Sequence, residues 1–204
     1  MCDNRLVPKV VDHEGRRGEL ALALWRVALR DGFDAVTVRS VAQESGWSAG
    51  ALRHYFPDKT QMVLFAIDFV VEAVRERIGR ANAAAGELSL QLVQDHLEQL
   101  LPLDDERRLE SEAWFALVAL AHRDPSAARR RTEVDDLIHD SVESAVAALE
   151  ELDALGAGRA RATETARLHA LLDGMVLQLL AHPPRLTPEQ ARAVLTRHLA
   201  DLRA

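Results

Sequence analysis

Apolar residues in the first third of the chain recur at helical spacing in three short blocks. The first block ends at Gly32, a residue that suits the left-handed backbone at a helix C-terminus. Thr37 and Ser48 are good N-cap residues for the next two blocks, Gly46 separates them, and Pro57 stops the third. The pattern predicts three short helices. Their inward-facing residues are Leu20, Leu24, Val27, Ala28, Val38, Val41, Ala42, Leu52 and Phe56.

The next segment, from Lys59 to about Arg80, is predicted to be one long helix with apolar residues on two of its sides. One stripe consists of Met62, Phe65, Ala66, Phe69 and Ala73. The other consists of Val63, Ile67, Val70 and Val74. Because a helix that is apolar on two sides contacts two bodies, we expect this one to connect the N-terminal unit to the remaining chain.

The remaining chain also has a helical pattern. Further helices are predicted at about residues 88–101, 105–122, 126–153, 160–182 and 188–203. Hydrophobic residues, mostly Leu and Ala, make up 48% of the chain and aromatic residues only 4%, which favours helices over a β-sandwich. We therefore predict an all-α fold of about nine helices, with a three-helix domain at residues 1–58 and a larger helical domain at residues 59–204.

The second and third predicted helices, with the glycine turn between them, have the layout of a helix-turn-helix, a motif that reads DNA. Because Leu52 and Phe56 face inward, Arg53 and His54 face outward, where an arginine can bind a guanine edge or a phosphate. The alternative is an ordinary helical hairpin with a solvated polar face. The residues predicted to contact DNA are Thr37, Arg39, Ser48, Ala49, Gly50, Arg53, His54, Tyr55 and Lys59.

The net charge of −7 is unevenly distributed along the chain. Residues 1–60 hold nine Lys or Arg and eight Asp or Glu, a net +1, whereas the remainder holds sixteen against twenty-four, a net −8. The acidic residues therefore lie mainly in the second domain, and the first must place its few basic groups on one face. Arg5, Lys9, Arg16 and Arg17 are candidates for a basic arm that enters the minor groove; a solvated tail is the alternative.

Residues from about Arg16 to Phe69 resemble the N-terminal domain of the TetR (tetracycline-repressor-like) family of bacterial transcription regulators. The matching positions are Gly32-Phe33, Thr37-Val38-Arg39, Val41-Ala42, Ser45-Gly46-Trp47-Ser48, Gly50 and Leu52-Arg53-His54-Tyr55-Phe56-Pro57-Asp58-Lys59. One position departs from the family pattern, since members often carry an aromatic residue where this chain has Arg53. Residues 168–202 resemble the betaine-regulator-like branch over a short stretch rich in Leu and Ala.

The resemblance implies a ligand-responsive repressor that binds a palindromic operator in double-stranded DNA as a homodimer and is released by a small-molecule effector. It also implies an effector pocket among the middle helices. An ordinary core is the alternative for each candidate residue, and for any single Leu or Val it is the preferred interpretation. Trp114 with a nearby acid, Glu143 or Asp173, would suit a cationic ligand. The candidate pocket residues are Phe65, Phe69, His96, Trp114, Leu117, Val118, His122, His139, Leu172 and Met175.

The last two predicted helices carry small and apolar residues at regular spacing, which favours close helix packing. An intrachain core explains either stripe alone, but two adjacent amphipathic helices favour a two-fold, four-helix interface. The resemblance implies the same arrangement. The predicted interface residues are Ala166, Ala170, Gly174, Leu177, Val194, Leu195, His198 and Leu202.

Other functional classes receive less support from the sequence. No two of the eight histidines lie three or four residues apart, and there is no nucleophile elbow or phosphate loop, so neither an enzyme, a metal site nor a cofactor is predicted. The single cysteine, Cys2, and the absence of a long apolar run favour a cytoplasmic protein with no membrane partner. A helical protein-interaction adaptor is the alternative function, but it leaves the Arg53-His54 face unexplained.

Overall fold

A computed structural model describes residues 13–84, 86–182 and 184–203, and over this part of the chain the fold is all-α. Cys2 and the proposed arm residues Arg5 and Lys9 lie outside the described residues. The helices are α1 (His13–Asp31), α2 (Val38–Ser45), α3 (Ala49–Tyr55), α4 (Lys59–Ala84), α5 (Leu90–Glu98), α6 (Asp105–Ala121), α7 (Pro125–Glu151), α8 (Arg161–Leu180) and α9 (Pro188–Asp201), with a short 3-10 turn at Phe33–Ala35. The predicted fold class is confirmed.

The predicted caps explain why the short helices begin and end where they do. The Thr37 hydroxyl accepts a hydrogen bond from the Ser40 amide at 3.1 Å, and the Ser48 hydroxyl accepts one from the Ala51 amide at 3.1 Å. Gly46 ends α2 with a φ of 72°, a backbone conformation that glycine adopts without strain. These local interactions fix the turn between α2 and α3.

The apolar core of the three N-terminal helices continues into α4, α6 and α7. Leu20, Val27 and Leu52 are fully buried, and the same cluster extends to Ala113 and Leu117 on α6. The N-terminal helices therefore rest on the beginning of α4 and on α6. The predicted division of the chain at residue 58 stays a prediction.

A second core lies among α5, α7, α8 and α9, and it corrects two of the predicted interface residues. Leu195 and Leu202 are 0% and 1% exposed, because the apolar stripe of α9 packs inward against this core. Neither side chain is available to a partner. In contrast, Leu177 is 57% and Val194 38% exposed. Ala166 and Ala170 are also exposed, while Gly174 and His198 are half-buried, so a role for these six residues in dimerisation stays a prediction.

Candidate DNA-binding face and internal cavity

The outward face of α3 carries small and basic residues with no apolar cover. Leu52 and Phe56 anchor the helix in the core, at 0% and 4% exposure. Their burial turns Arg53 and His54 to solvent, as the spacing predicted. Among the remaining candidate DNA contacts, Tyr55 is half-buried. The others are exposed, and they are Thr37, Arg39, Ser48, Ala49, Gly50 and Lys59.

Aromatic packing supports the C-terminal end of this face. The Tyr55 ring lies 5.5 Å from the Trp47 ring in an edge-to-face arrangement, and 6.2 Å from the His54 ring. Edge-to-face pairs of this kind add stability beyond their buried area. Trp47 and Tyr55 therefore hold the segment that presents Arg53 and His54.

Gly50 leaves space on the α3 face that the protein itself does not use. A Cβ added at this position would meet only the Ser48 hydroxyl oxygen, at 4.0 Å. The fold therefore does not require a glycine here, although glycine weakens a helix. The absence of a side chain leaves the start of α3 free for the close approach of another molecule, which suits a phosphate backbone.

Phe65 and Phe69 contact the N-terminal helices, which corrects their predicted role in a ligand pocket. The Phe69 ring packs 5.9 Å from Trp25 and the Phe65 ring 4.9 Å from Phe56. The Arg17 guanidinium lies 5.4 Å above the Phe65 ring. One of the two predicted apolar stripes of α4 therefore packs against the N-terminal helices.

The other stripe of α4 faces a cavity of about 430 Å³ that is partly open to solvent. This volume is within the range of small-molecule sites, and most of the surrounding side chains are apolar. The principal lining residues are Ile67, Val70, Val71, Val74 and Ile78 of α4, Glu110, Ser111, Trp114, Phe115 and Val118 of α6, Arg131, Val134, Asp135 and Ile138 of α7, and Leu172, Asp173, Val176 and Leu177 of α8.

Three of the ten predicted pocket residues, Trp114, Val118 and Leu172, line this cavity. Leu117 and Met175 are not among the lining residues because they face the protein core, at 0% and 2% exposure. Both lie on helices that line the cavity, but in each case the next residue along the chain, Val118 or Val176, is the one that faces it. The sequence does not show which side of these helices faces the cavity, since they are apolar on both sides.

The three predicted histidines are not among the lining residues, although His96 and His122 each contact one that is, Ser141 and Val118. The His96 Nε2 atom is 2.9 Å from the Ser141 hydroxyl, and burial lowers the pKa of His96. His122 is exposed at the end of α6, where its Nδ1 atom lies 2.9 Å from the Val118 carbonyl oxygen. His139 is exposed beside His169, with 5.7 Å between the ring centres.

A buried ion pair connects α4 to the cavity wall. Two Arg77 guanidinium nitrogens donate to the two Glu110 carboxylate oxygens, each at 2.7 Å, and one also donates to the Gln99 carbonyl at 3.3 Å. Burial raises the pKa of Glu110, while the hydrogen bonds from Arg77 oppose that shift. Arg77, which is not among the cavity-lining residues, therefore compensates the negative charge of Glu110. No local pattern in the sequence indicates this pair, whose members lie 33 residues apart.

Asp173, one of the two acids proposed for a cationic ligand beside Trp114, lines the cavity. Burial raises its pKa, while electrostatic interactions with His169 and Arg131 oppose the shift. Nearby Asp135 raises the pKa further. Glu143, the other acid considered, is exposed and is not among the lining residues. Trp114 and Asp173 thus belong to one cavity.

Two negative findings apply to the residues that the structure describes. No helix among them is both long enough and apolar enough to cross a membrane. No group of three or more His, Cys, Asp or Glu side chains in the same part of the chain is arranged to hold a metal ion.

Comparisons with known proteins agree with the geometry. The model for bacterial regulatory proteins of the tetR family matches residues 22–65, and that for the C-terminal domain of BetI-type transcriptional repressors matches residues 90–204. The HTH-type transcriptional regulator PksA of Bacillus subtilis (strain 168) is 34% identical over 200 residues, which cover 96% of this chain and 94% of PksA.

Solved structures show the same fold. A transcriptional regulator from Rhodococcus sp. Rha1 superposes with a TM-score of 0.72 and 28% identity, covering 91% of this chain and 95% of that one. A regulator from Saccharomonospora viridis, solved in complex with choline, superposes with a TM-score of 0.79 and 19% identity, covering 91% and 96%. The chain therefore belongs to the TetR family and is a DNA-binding regulator of transcription.

Proposed function

We propose that the protein is a homodimeric repressor that a small molecule releases from a palindromic operator. One observation carries this proposal: α4 contacts the N-terminal helices with one apolar stripe and lines the cavity with the other. An occupant of the cavity therefore touches the element on which the DNA-binding face rests. The protein-interaction adaptor is not favoured, because the chain belongs to a family of DNA-binding regulators.

The release follows from a difference in effector affinity between two positions of α4. An effector that fits the cavity better when α4 is displaced favours the arrangement in which the two α3 helices no longer match the DNA. A coupling of about 1–3 kcal/mol gives a 5- to 150-fold change in DNA affinity. By the same linkage, bound DNA must lower the affinity of the protein for the effector by the same factor.

The lining of the cavity supports a proposal for the chemical class of the effector. Its walls are mainly aliphatic and aromatic, and Trp114 and Asp173 are both among the lining residues. We therefore propose an effector with an apolar body and one positively charged group. The choline bound to the Saccharomonospora viridis regulator has such a group, but that likeness of 19% identity shows the fold alone.

Binding to DNA upstream of its own gene is the direct test of this function. A regulator of this kind should retain that DNA in a salt-sensitive manner, and an effector should release it. A collection of amphipathic cations added to the preformed complex would identify the effector by loss of the slow band in a mobility-shift gel. Binding that is independent of both sequence and salt would contradict the proposal.

Arg53→Ala is expected to weaken cognate binding by about 1–3 kcal/mol and to relax sequence preference, because an arginine that bridges a base edge carries specificity. Lys59→Ala is the matched control, because it removes a charge suited to a phosphate contact and should weaken all sequences alike. Titrations of cognate and scrambled DNA would separate the two effects. If Arg53→Ala lowered the affinity for cognate and scrambled DNA equally, Arg53 would not contact a base specifically.

Gly50→Ala is expected to separate stability from function. The substitution should raise the free energy of unfolding by up to about 1 kcal/mol, since alanine favours helix and the added methyl meets no close neighbour. DNA affinity should nevertheless fall, because that methyl occupies the space between α3 and the duplex. Thermal unfolding and DNA titration of the same sample would test both. Unchanged DNA affinity would place Gly50 outside the contact.

A further inference from the structure

Two serines line the cavity, and their hydroxyl groups are held differently. A helical serine can donate its hydroxyl proton to the carbonyl one turn earlier, and Ser111 of α6 does so to the Arg107 carbonyl at 2.9 Å. Over the described residues, the Ser141 side chain of α7 instead has a partner on another helix. The Nε2 atom of His96 on α5 lies 2.9 Å from its hydroxyl oxygen.

The contacts of His96 indicate which of the two side chains donates. Its Nε2 atom also lies 3.3 Å from the backbone carbonyl oxygen of Ser141. A carbonyl oxygen only accepts, so a contact with both oxygens requires the proton on Nε2. Burial lowers the pKa of His96, which favours a neutral ring with that single proton. The Ser141 hydroxyl oxygen therefore accepts from His96, and its own proton remains available to an occupant of the cavity.

Ser141 and the cavity acid Asp173 lie in different parts of the cavity. Asp135 of α7 raises the pKa of Asp173, so these two carboxylates lie near each other. Ser141 follows Asp135 by six residues on the same helix, which is about 9 Å along the helix axis. Between them, apolar Ile138 lines the cavity. An occupant with its cationic group beside Asp173 therefore meets Ser141 with a part of its body that is remote from the charge.

We propose that Ser141, positioned by His96, donates a hydrogen bond to the effector and so selects a molecule with an acceptor oxygen about 9 Å from its cationic group. This inference rests on the cationic effector proposed above and narrows its class. A ketone, ester or ether oxygen satisfies the Ser141 proton, whereas a plain alkyl chain displaces water from that proton and leaves it unpaired. Ser141 contacts the effector, and His96 is a positioning residue.

The test compares two cations that differ in one group. The probes are decyltrimethylammonium and the same cation with one chain methylene replaced by a ketone about 9 Å from the nitrogen. Calorimetric titration of the full-length protein gives both dissociation constants, and their ratio is the preference for the ketone. We expect Ser141→Ala to lower this preference at least about fivefold, the usual net contribution of one neutral hydrogen bond. Ser111→Ala is the matched control and should leave the preference unchanged, because its proton is already bound by Arg107.

Variants of His96 separate positioning from a structural role. His96→Leu should lower the ketone preference as Ser141→Ala does, because the released hydroxyl can donate to its own helix. His96→Gln keeps a side-chain N–H donor and should restore much of the preference. In a Ser141→Ala background, His96→Leu should change the ratio no further. A further fall in that background would overturn the positioning role.

The outcomes distinguish this inference from the function on which it rests. If Ser141→Ala weakened both cations equally, the hydrogen bond to the effector would be overturned and the cationic class would stand. If neither cation bound the parent chain, the cationic class would fall and this inference with it. Long-range ¹H–¹⁵N spectra of the parent chain, assigned with His96→Gln, test the ring without relying on a folded variant at Ser141. We expect the proton on Nε2, and a proton on Nδ1 alone would overturn the inference.

Discussion

Leu195→Asp is expected to unfold the C-terminal core rather than to release folded monomers. Leu195 is 0% exposed within one protomer, in the cluster formed by α5, α7, α8 and α9. The substitution removes a buried leucine and places a carboxylate among apolar side chains, a combination expected to cost more than about 4 kcal/mol. Denaturant unfolding monitored by far-UV circular dichroism would show it as a large fall in the midpoint.

Val194→Asp is the matched control for that prediction. Val194 is the preceding residue of α9 but is 38% exposed, on the outer side of the helix. The same aspartate there should leave the unfolding midpoint nearly unchanged and weaken the dimer instead. A folded monomer from Leu195→Asp, observed by sedimentation, would contradict the assignment of this residue to the protomer core.

Arg77→Ala is expected to lower the free energy of unfolding by about 3–5 kcal/mol, because it leaves the buried Glu110 carboxylate without its partner. Glu110 is 7% exposed, and both of its oxygens accept hydrogen bonds from Arg77. The unpaired charge would then face the cavity. Stability at neutral pH should fall first at the contact between α4 and α6, which amide hydrogen exchange can resolve.

Arg80→Ala gives the comparison on the same helix. Arg80 also pairs with a glutamate, Glu76, but the side chains are 72% and 61% exposed. Exposed pairs of this type contribute about 0–1 kcal/mol, so this variant should unfold almost as the parent does. Equal effects of the two arginine substitutions would show that burial of the Arg77–Glu110 pair has no energetic consequence.

The short helices and their turns were predictable because their determinants are local. Thr37, Gly46 and Ser48 act through hydrogen bonds and backbone angles within a few residues, and the structure has them as the sequence indicated. The orientation of Arg53 follows from the same reasoning, since Leu52 on α3 and Phe56 directly after it are both buried and leave only one outward side.

The cavity was less predictable because its walls depend on how helices dock. Both stripes of α4 are apolar, so the pattern predicts two contacts without saying which stripe meets the N-terminal helices. Phe65 and Phe69 were assigned to the ligand on this incomplete basis, and their true neighbours are Phe56 and Trp25. The Arg77–Glu110 pair likewise joins residues whose proximity only the tertiary fold establishes.

The predicted dimer face shows the same limit at the C-terminus. An amphipathic helix has one evident apolar stripe. In α9 this stripe packs against the core of the same protomer, so Leu195 and Leu202 are buried. On α8, the exposed Ala166 and Ala170 and the half-buried Gly174 are small and recur every fourth residue, so they form a stripe of low hydrophobicity but regular spacing. Regular spacing of Ala166, Ala170 and Gly174 was therefore a better guide to an outer surface than leucine content.

Footprinting on the DNA upstream of the gene tests most directly the claim that paired α3 helices bind DNA. Paired α3 helices should protect two half-sites with centres about 34–36 Å apart, one helical turn, on one face of the duplex. Arg53→Ala should remove protection at both half-sites together. A single protected segment, or an unchanged double footprint with Arg53→Ala, would contradict binding by paired α3 helices.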